Sequence, residues 1–278
     1  ALSDARPLAF LMPQPLTLRA QLDRQLGLLR SFLVYRAIPW RGAQLRRFYR
    51  RFVPPGGLAF DVGAHAGNRV AAFRSLGARV VALEPQPDFV RWLERRFGAD
   101  RQVTVLPVAL GRSSGEAQLL ASPRTPTVST LSGDFVERAG QAASFRGVRW
   151  TPGPVVQVQT LDALIARHGV PDFVKIDVEG FELEVLLGLS QPLPALSFEF
   201  LPSMRDVALA CIERLEALAA VQGVNYRYGV SLGERQRLLD VQGISAEAMR
   251  AWLSGLPADA PSGDVHVWQV AAASASRR

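Results

Sequence analysis

The chain has 278 residues, 48% hydrophobic against 21% charged, and a net charge of +7. That suits one large α/β domain, or one domain with an appendage, and excludes a disordered chain. A single cysteine, Cys211, and three scattered histidines, His65, His168 and His266, exclude a disulfide framework, a cysteine-based zinc site and a His-rich metal cluster.

No apolar run reaches the roughly 18 to 20 residues that span a bilayer, so no transmembrane span is expected. Of the 32 basic residues, 31 are Arg and only Lys175 is Lys. The arginines are spread along the chain, with no RNA-binding or zinc-finger signature beside them, so nucleic acid is not the expected partner.

Residues 1–15 read as a loose arm. Leu18, Leu22, Leu26, Leu29 and Leu33 then recur at three- and four-residue steps with charges between them, which predicts an amphipathic helix. A second short helix is expected over 41–52. This N-terminal helical extension, 1–57, reads most simply as packed on its own domain. A lid, a dimer arm and a peripheral membrane contact stand as alternatives. Charges interrupt any signal-peptide core, and a cytoplasmic protein is expected; the sequence sets no oligomeric state.

From residue 58 to 278 the pattern is that of one α/β domain. Short apolar strands are expected at 58–62, 79–84, 103–110, 155–160, 172–177 and 193–200. Helices are expected after the glycine turn to about 76, and at 89–97, 161–168, 181–189 and 206–221. Strands at 225–230 and 264–270, with a helix at 245–253 between them, close the chain. Alternation of this kind predicts a mostly parallel sheet with helices on both faces. The stretch 112–154, rich in Ser, Thr and Pro, reads as a long loop of the lid or binding type.

Three turns carry the chemistry. In Phe60-Asp61-Val62-Gly63-Ala64-His65-Ala66-Gly67-Asn68 the glycines allow a tight strand-to-helix turn and close approach of a ligand. Asp61 is placed to take a ligand ammonium. Glu84, 21 residues after Gly63, is placed to accept the hydroxyls of a ribose. The glycine spacing G-x-x-x-G differs from the dinucleotide pattern, and an aspartate facing a pyrophosphate would repel it. The motif therefore favours S-adenosylmethionine over NAD.

In Phe173-Val174-Lys175-Ile176-Asp177-Val178-Glu179-Gly180-Phe181, strand alternation puts Lys175 and Asp177 on one side. The lone lysine points to a tight site that a guanidinium would not fit. Glu199, in Ser197-Phe198-Glu199-Phe200, should stand near Asp177 across adjacent strands. These acids could serve as a general base, or hold a divalent cation through Asp177, Glu179 and Glu199. Candidate catalytic residues are Asp177, slightly favoured as the base, with Glu199, His65 and Lys175.

The segment from residue 58 to 200 resembles the FkbM family of S-adenosylmethionine-dependent methyltransferases. The resemblance is carried by the glycine turn, Ala82-Leu83-Glu84-Pro85, Val108-Ala109-Leu110-Gly111, Thr160-Leu161-Asp162, the Lys175-to-Gly180 run and Phe198-Glu199-Phe200. It implies a Rossmann-like class I methyltransferase fold with a mostly parallel seven-stranded sheet. It also implies O-methylation of a hydroxyl on a sugar, glycan or natural product, with Asp61, Gly63, Gly67 and Glu84 binding the cofactor. Ala64, His65, Asn68, Pro85 and Ala109 flank these as further cofactor-lining residues. The chain departs from the family at Val128-Ser129-Thr130-Leu131, where a Ser-Ser pair is common, and at Asn68, where an aromatic is common. An NAD(P)-dependent oxidoreductase and a non-catalytic cofactor-binding relative are the alternatives.

Overall fold

The computed structural model describes residues 41–122, 125–140, 145, 147–233 and 235–270. The leucine pattern over 18–33, and any membrane contact it would make, falls outside them. In chain order the elements are α1 (Arg41–Tyr49), β1 (Leu58–Val62), α2 (Asn68–Ser75), β2 (Arg79–Leu83), α3 (Pro87–Phe97) and β3 (Val103–Leu106). Then come β4 (Val108–Leu110), β5 (Gly115–Ala121), α4 (Gly133–Ala139) and β6 (Thr151–Gln159). The chain continues through α5 (Leu161–His168), β7 (Phe173–Ile176), α6 (Glu182–Leu187), β8 (Ala195–Phe200) and α7 (Arg205–Gln222). It closes with β9 (Asn225–Leu232), α8 (Ala246–Ser254) and β10 (Gly263–Val270).

A seven-stranded sheet runs in the order β3-β2-β1-β7-β8-β10-β9. Its first five strands are parallel, and β10 is antiparallel to both β8 and β9. Because β1 lies between β2 and β7, the chain leaves the middle of the sheet in both directions. That switch point opens a crevice at the carboxyl ends of the strands, where such sheets place their ligands.

Alternate residues of each strand feed two apolar layers. On one face Phe60, Val62, Ile176, Phe198 and Val265 pack against α5, α6, α7 and α8. On the other, Ala59, Val80, Ala82 and Phe173 pack against α1, α2 and α3. Leu45, Phe48, Tyr49 and Phe52 are buried in that second layer, so the described part of the N-terminal extension shares the core of the domain. The layer is aromatic-rich: the Phe52 ring stacks on Phe173, and Tyr49 meets Phe73 edge-on.

The strand expected over 103–110 is two strands. Pro107 has no N–H to give a ladder, and the chain changes sheets there. β3 pairs with β2, while β4 joins a second, three-stranded sheet in the order β4-β6-β5. Strand β5, helix α4 and the start of β6 fall in the stretch expected to be a loop. β5 runs antiparallel to β6 with a register shift between Gln118 and Leu120.

Candidate active site

The second face of the sheet carries a polar stripe towards the carboxyl ends of its parallel strands. Strand pairing sets Asp61 beside Lys175, Lys175 beside Ser197, and Glu199 beside Asp264. Asp264 lies at the start of β10, but that strand runs backwards, so its beginning falls beside the end of β8. Asp61, Lys175, Ser197, Asp264 and His266 are all buried, and α1 and α2 cover the stripe.

Lys175 is wholly buried. Its Nζ donates to Asp264 Oδ1 at 2.8 Å and to its own Ile176 carbonyl at 3.0 Å, and lies 3.4 Å from Asp177 Oδ2. Burial alone would lower its pKa, but Asp177 and Asp264 together raise it, and the ammonium stays charged. The same Asp177 oxygen lies 3.3 Å from a guanidinium nitrogen of Arg69, in the first turn of α2. Burial opposes the charge on Asp177, yet Lys175 and Arg69 hold its pKa down at about 2. Its neighbours behave oppositely. Glu179 and Glu199 are pushed well above the usual carboxylate range, first by burial and then by the charge on Asp177. Oxygens of Asp177, Glu179 and Glu199 lie within 4.8 Å of one another.

Two turns shape the rim. Gly63 has φ +80°, and a Cβ there would collide with the Asp177 carbonyl oxygen. The glycine thus admits the backbone of the neighbouring turn, which brings the two motifs of the sequence together. His65 (φ 49°) and Glu179 (φ 53°) adopt the left-handed conformation that non-glycine residues rarely take. The Glu179 turn is held by its surroundings: Glu182 Oε1 accepts the Val178 and Gly180 N–H groups, and the Thr130 hydroxyl donates to the Glu179 carbonyl at 2.7 Å.

A cavity of about 270 Å³ opens above this stripe. Its wall takes in Gly63, Ala64, His65, Asn68, Arg69, Glu84, Pro85, Ala109, Asp177, Glu179, Glu199 and Asp264. Glu84 is buried and fixed by two backbone donors, His65 N–H and Gln86 N–H, each at 2.9 Å. Burial raises its pKa to about 7. The His65 ring packs 4.0 Å from that of Phe89, and burial lowers its pKa to about 4, so the imidazole is neutral at pH 7.

Of the residues singled out in the sequence, Asp61, Gly67 and Lys175 do not line the cavity. Asp61 is 1% exposed, and the Val70 backbone N–H of α2 is the hydrogen-bond donor that acts on its carboxylate. Burial raises its pKa to about 7 against the pull of Arg69 and Lys175. Gly67 (φ +77°) packs beneath Leu93 and Phe97. Sequence reasoning missed Arg69, Asp264 and Thr130. Arg69 carries no mark among 31 arginines. Asp264 could have been found only from the antiparallel course of the last strand.

A doubly wound sheet of this order, with an acid ending β2 and further acids ending β7 and β8, defines a Rossmann-like fold of the methyltransferase type. Residues 61–216 match the model of the methyltransferase FkbM domain, more than half of the chain. The chain belongs to the FkbM methyltransferase family. It is 30% identical over 152 residues to the hexuronic acid methyltransferase AglP of Haloferax volcanii, a match covering 50% of this chain and 52% of that protein. The chain thus spans about half the length of that relative. Among solved structures it is similar to an O-methyltransferase from Bacillus cereus in complex with SAH (14% identity, 94% of each chain, TM-score 0.41). It is also similar to the precorrin-6y C5,15-methyltransferase of Geobacter metallireducens (12% identity, 83% and 87% of the chains, TM-score 0.40). The fold assignment rests on the strand order itself.

Proposed function

We propose that this chain is an S-adenosylmethionine-dependent O-methyltransferase acting on a hydroxyl of a sugar or related glycan. The observation that carries the reading is the placement of acids along one cavity. Glu84 directly follows β2, and Glu199 stands three strands away on β8. At about 4.8 Å per strand the two lie roughly 14 Å apart across the sheet. That span accommodates a ribose at one end and a reacting hydroxyl at the other. The Haloferax relative, named for a hexuronic acid, supports a sugar as acceptor.

The residues fit the methyl donor. Glu84, already fixed by two backbone donors, keeps acceptor capacity for a ribose diol. When bound, S-adenosylmethionine supplies a methyl group activated by its sulfonium sulfur. The protein then has to position the acceptor oxygen and take its proton. Asp177 is a poor base, because two cations hold its pKa near 2. His65, neutral and packed on Phe89, fits a place in the cofactor wall better than proton transfer. Lys175 stays protonated below the wall and acts by holding Asp177 and Asp264.

Glu199 is the better proton acceptor. Its side chain hydrogen-bonds to Asp177, and its Oε2 is buried in the same acid cluster. Its raised affinity for a proton suits removal of one from an alcohol, and turnover should rise with pH as the group ionises. Glu199→Gln should retain S-adenosylhomocysteine binding by calorimetry and lose about 10²- to 10⁴-fold in kcat. Undiminished turnover in that variant rejects Glu199 as the base. Glu84→Gln should weaken S-adenosylhomocysteine by about 10- to 100-fold, the worth of a hydrogen bond to a charged group. Unchanged affinity would reject the ribose assignment.

Asp177, Glu179 and Glu199 also form an all-oxygen set suited to a hard divalent cation. Arg69 and Lys175 already neutralise Asp177, which supports a charge-balanced site without an added ion. Turnover should therefore survive dialysis against EDTA. A loss restored by Mg²⁺ would instead assign the three carboxylates to a cation.

A further inference from the structure

The structure raises a question about the amino-acid end of the methyl donor. Asp61, the residue expected to take the donor's ammonium, is enclosed and absent from the cavity wall. A zwitterionic tail still needs an anionic and a cationic partner, because both of its charges leave water on binding. The wall is rich in acids, and among its described residues Arg69 is the one lysine or arginine.

Resting on the methyl-donor reading above, we propose that Arg69 is the carboxylate anchor for the donor's amino-acid tail, with Asp177 beside it as partner of the ammonium. Four observations carry this. Arg69 directly follows Asn68 on the glycine turn, and residues 63–66 of that turn line the same cavity. The turn is joined to Glu84 by the His65 N–H bond, so Arg69 belongs to the donor's side of the site. Arg69 and Asp177 lie side by side at 3.3 Å, opposite charges in the arrangement that a zwitterion's two ends require. The guanidinium Nε is buried, and beyond Asp177 the side chain that bonds the guanidinium is Tyr49, which does not line the cavity. A guanidinium presents its N–H groups as a planar fork that matches a carboxylate.

The surroundings fit an anchor held in place beforehand. Arg69 opens α2, whose first turn contains no acid, so the positive end of that helix adds to its field. Tyr49 of α1, Asp264 of β10 and Asp61 of β1 are the further groups whose fields act on it. Arg69 is a binding residue.

The test is a binding cycle on the whole chain, read by calorimetry. Its probes are S-adenosylhomocysteine, its decarboxylated analogue and 5′-methylthioadenosine, which lacks the amino-acid end. Arg69→Met should weaken S-adenosylhomocysteine by about 10- to 100-fold and move 5′-methylthioadenosine by less than about threefold. The wild-type protein should lose a similar factor when the carboxylate is removed from the ligand, and Arg69→Met should then no longer distinguish the two ligands. Arg69→Lys, which keeps the charge and loses the fork, should fall between. This variant and the wild-type arm keep the test decisive if Arg69→Met does not fold. Equal losses for all three probes would overturn the proposal, since Arg69 would then only shape the pocket. So would a wild-type protein indifferent to the carboxylate. If the wild type bound none of the probes, the methyl-donor reading itself would fail, a result distinct from either.

Discussion

Asp61 shows how far a single residue's role depends on what encloses it. Strand alternation and the glycine turn place it at the end of β1, and that placement is correct. Its seclusion is not visible in a linear pattern, because it depends on how the flanking helices α1 and α2 fold back over the strand. The same cover has a thermodynamic consequence. An aspartate in the unfolded chain loses its proton near pH 4, but folded Asp61 keeps it to about pH 7. Between those values the folded state binds the extra proton, so this residue's contribution to stability falls as pH rises through the window. Asp61→Asn cannot ionise and lacks that slope. The melting temperature of the ligand-free variant should gain on wild type from pH 5 to pH 8, by an amount on the order of 2 kcal/mol or several degrees. A difference that stays flat with pH would show that Asp61 is ionised throughout. The acids at Glu84, Asp177, Glu179 and Glu199 were legible because parallel strands deliver their carboxyl ends to one edge. Arg69 was not, because its neighbours are set by folding alone.

The elements divide in the same way. Strands β1, β2, β7 and β8 are short, apolar and bounded by turn residues, and each can be read from its own sequence. Of the small sheet, β4 and most of β6 fall within expected strands, and β5 does not. β5 buries only Leu119 and carries a register irregularity, so neither alternation nor an apolar run marks it. Its pairing with β6 bridges a long separation, which only the fold closes. That unit lines the cavity through Ala109 and Leu119, and a clasp ties it to the Glu179 turn. The Thr130 hydroxyl donates to the Glu179 carbonyl and accepts the Ser132 N–H at 2.9 Å, while Thr130 itself pairs with Leu120 on β5. A left-handed glutamate is a conformation that surrounding contacts must maintain. Thr130→Val keeps the shape and removes both hydrogen bonds. It should cost about 1 to 3 kcal/mol in urea unfolding and lower kcat more than it weakens S-adenosylhomocysteine. Equal effects on kcat and affinity would show that the clasp braces the whole pocket and not the Glu179 turn.

At the scale of the molecule, the family match at 61–216 is shorter than the described fold, which runs from α1 to β10. Helix α1 lies before it and the β9–β10 pair after it, yet both complete the site. Asp264 gives the buried Lys175 its 2.8 Å partner and lines the cavity beside Gly233, Ser262 and Gly263. Phe48 and Phe52 of the N-terminal region pack on the ring of His266, so the two flanks meet over the sheet. A fragment covering 58–216 would leave β8 as an open edge, uncover Phe73 and Phe173, and strip Lys175 of Asp264. Breaking a buried ion pair from one side costs roughly 3 to 5 kcal/mol, and the lost apolar cover adds about 1.5 to 3 kcal/mol for each large side chain exposed. Those losses are comparable with the entire stability of a typical domain. The fragment 58–216 should therefore show no cooperative urea transition by near-ultraviolet circular dichroism, whereas 41–270 should unfold in one step. A cooperative transition in the shorter fragment would mean that the flanks decorate a core which stands without them, and that the Lys175–Asp264 pair is not part of what holds the fold.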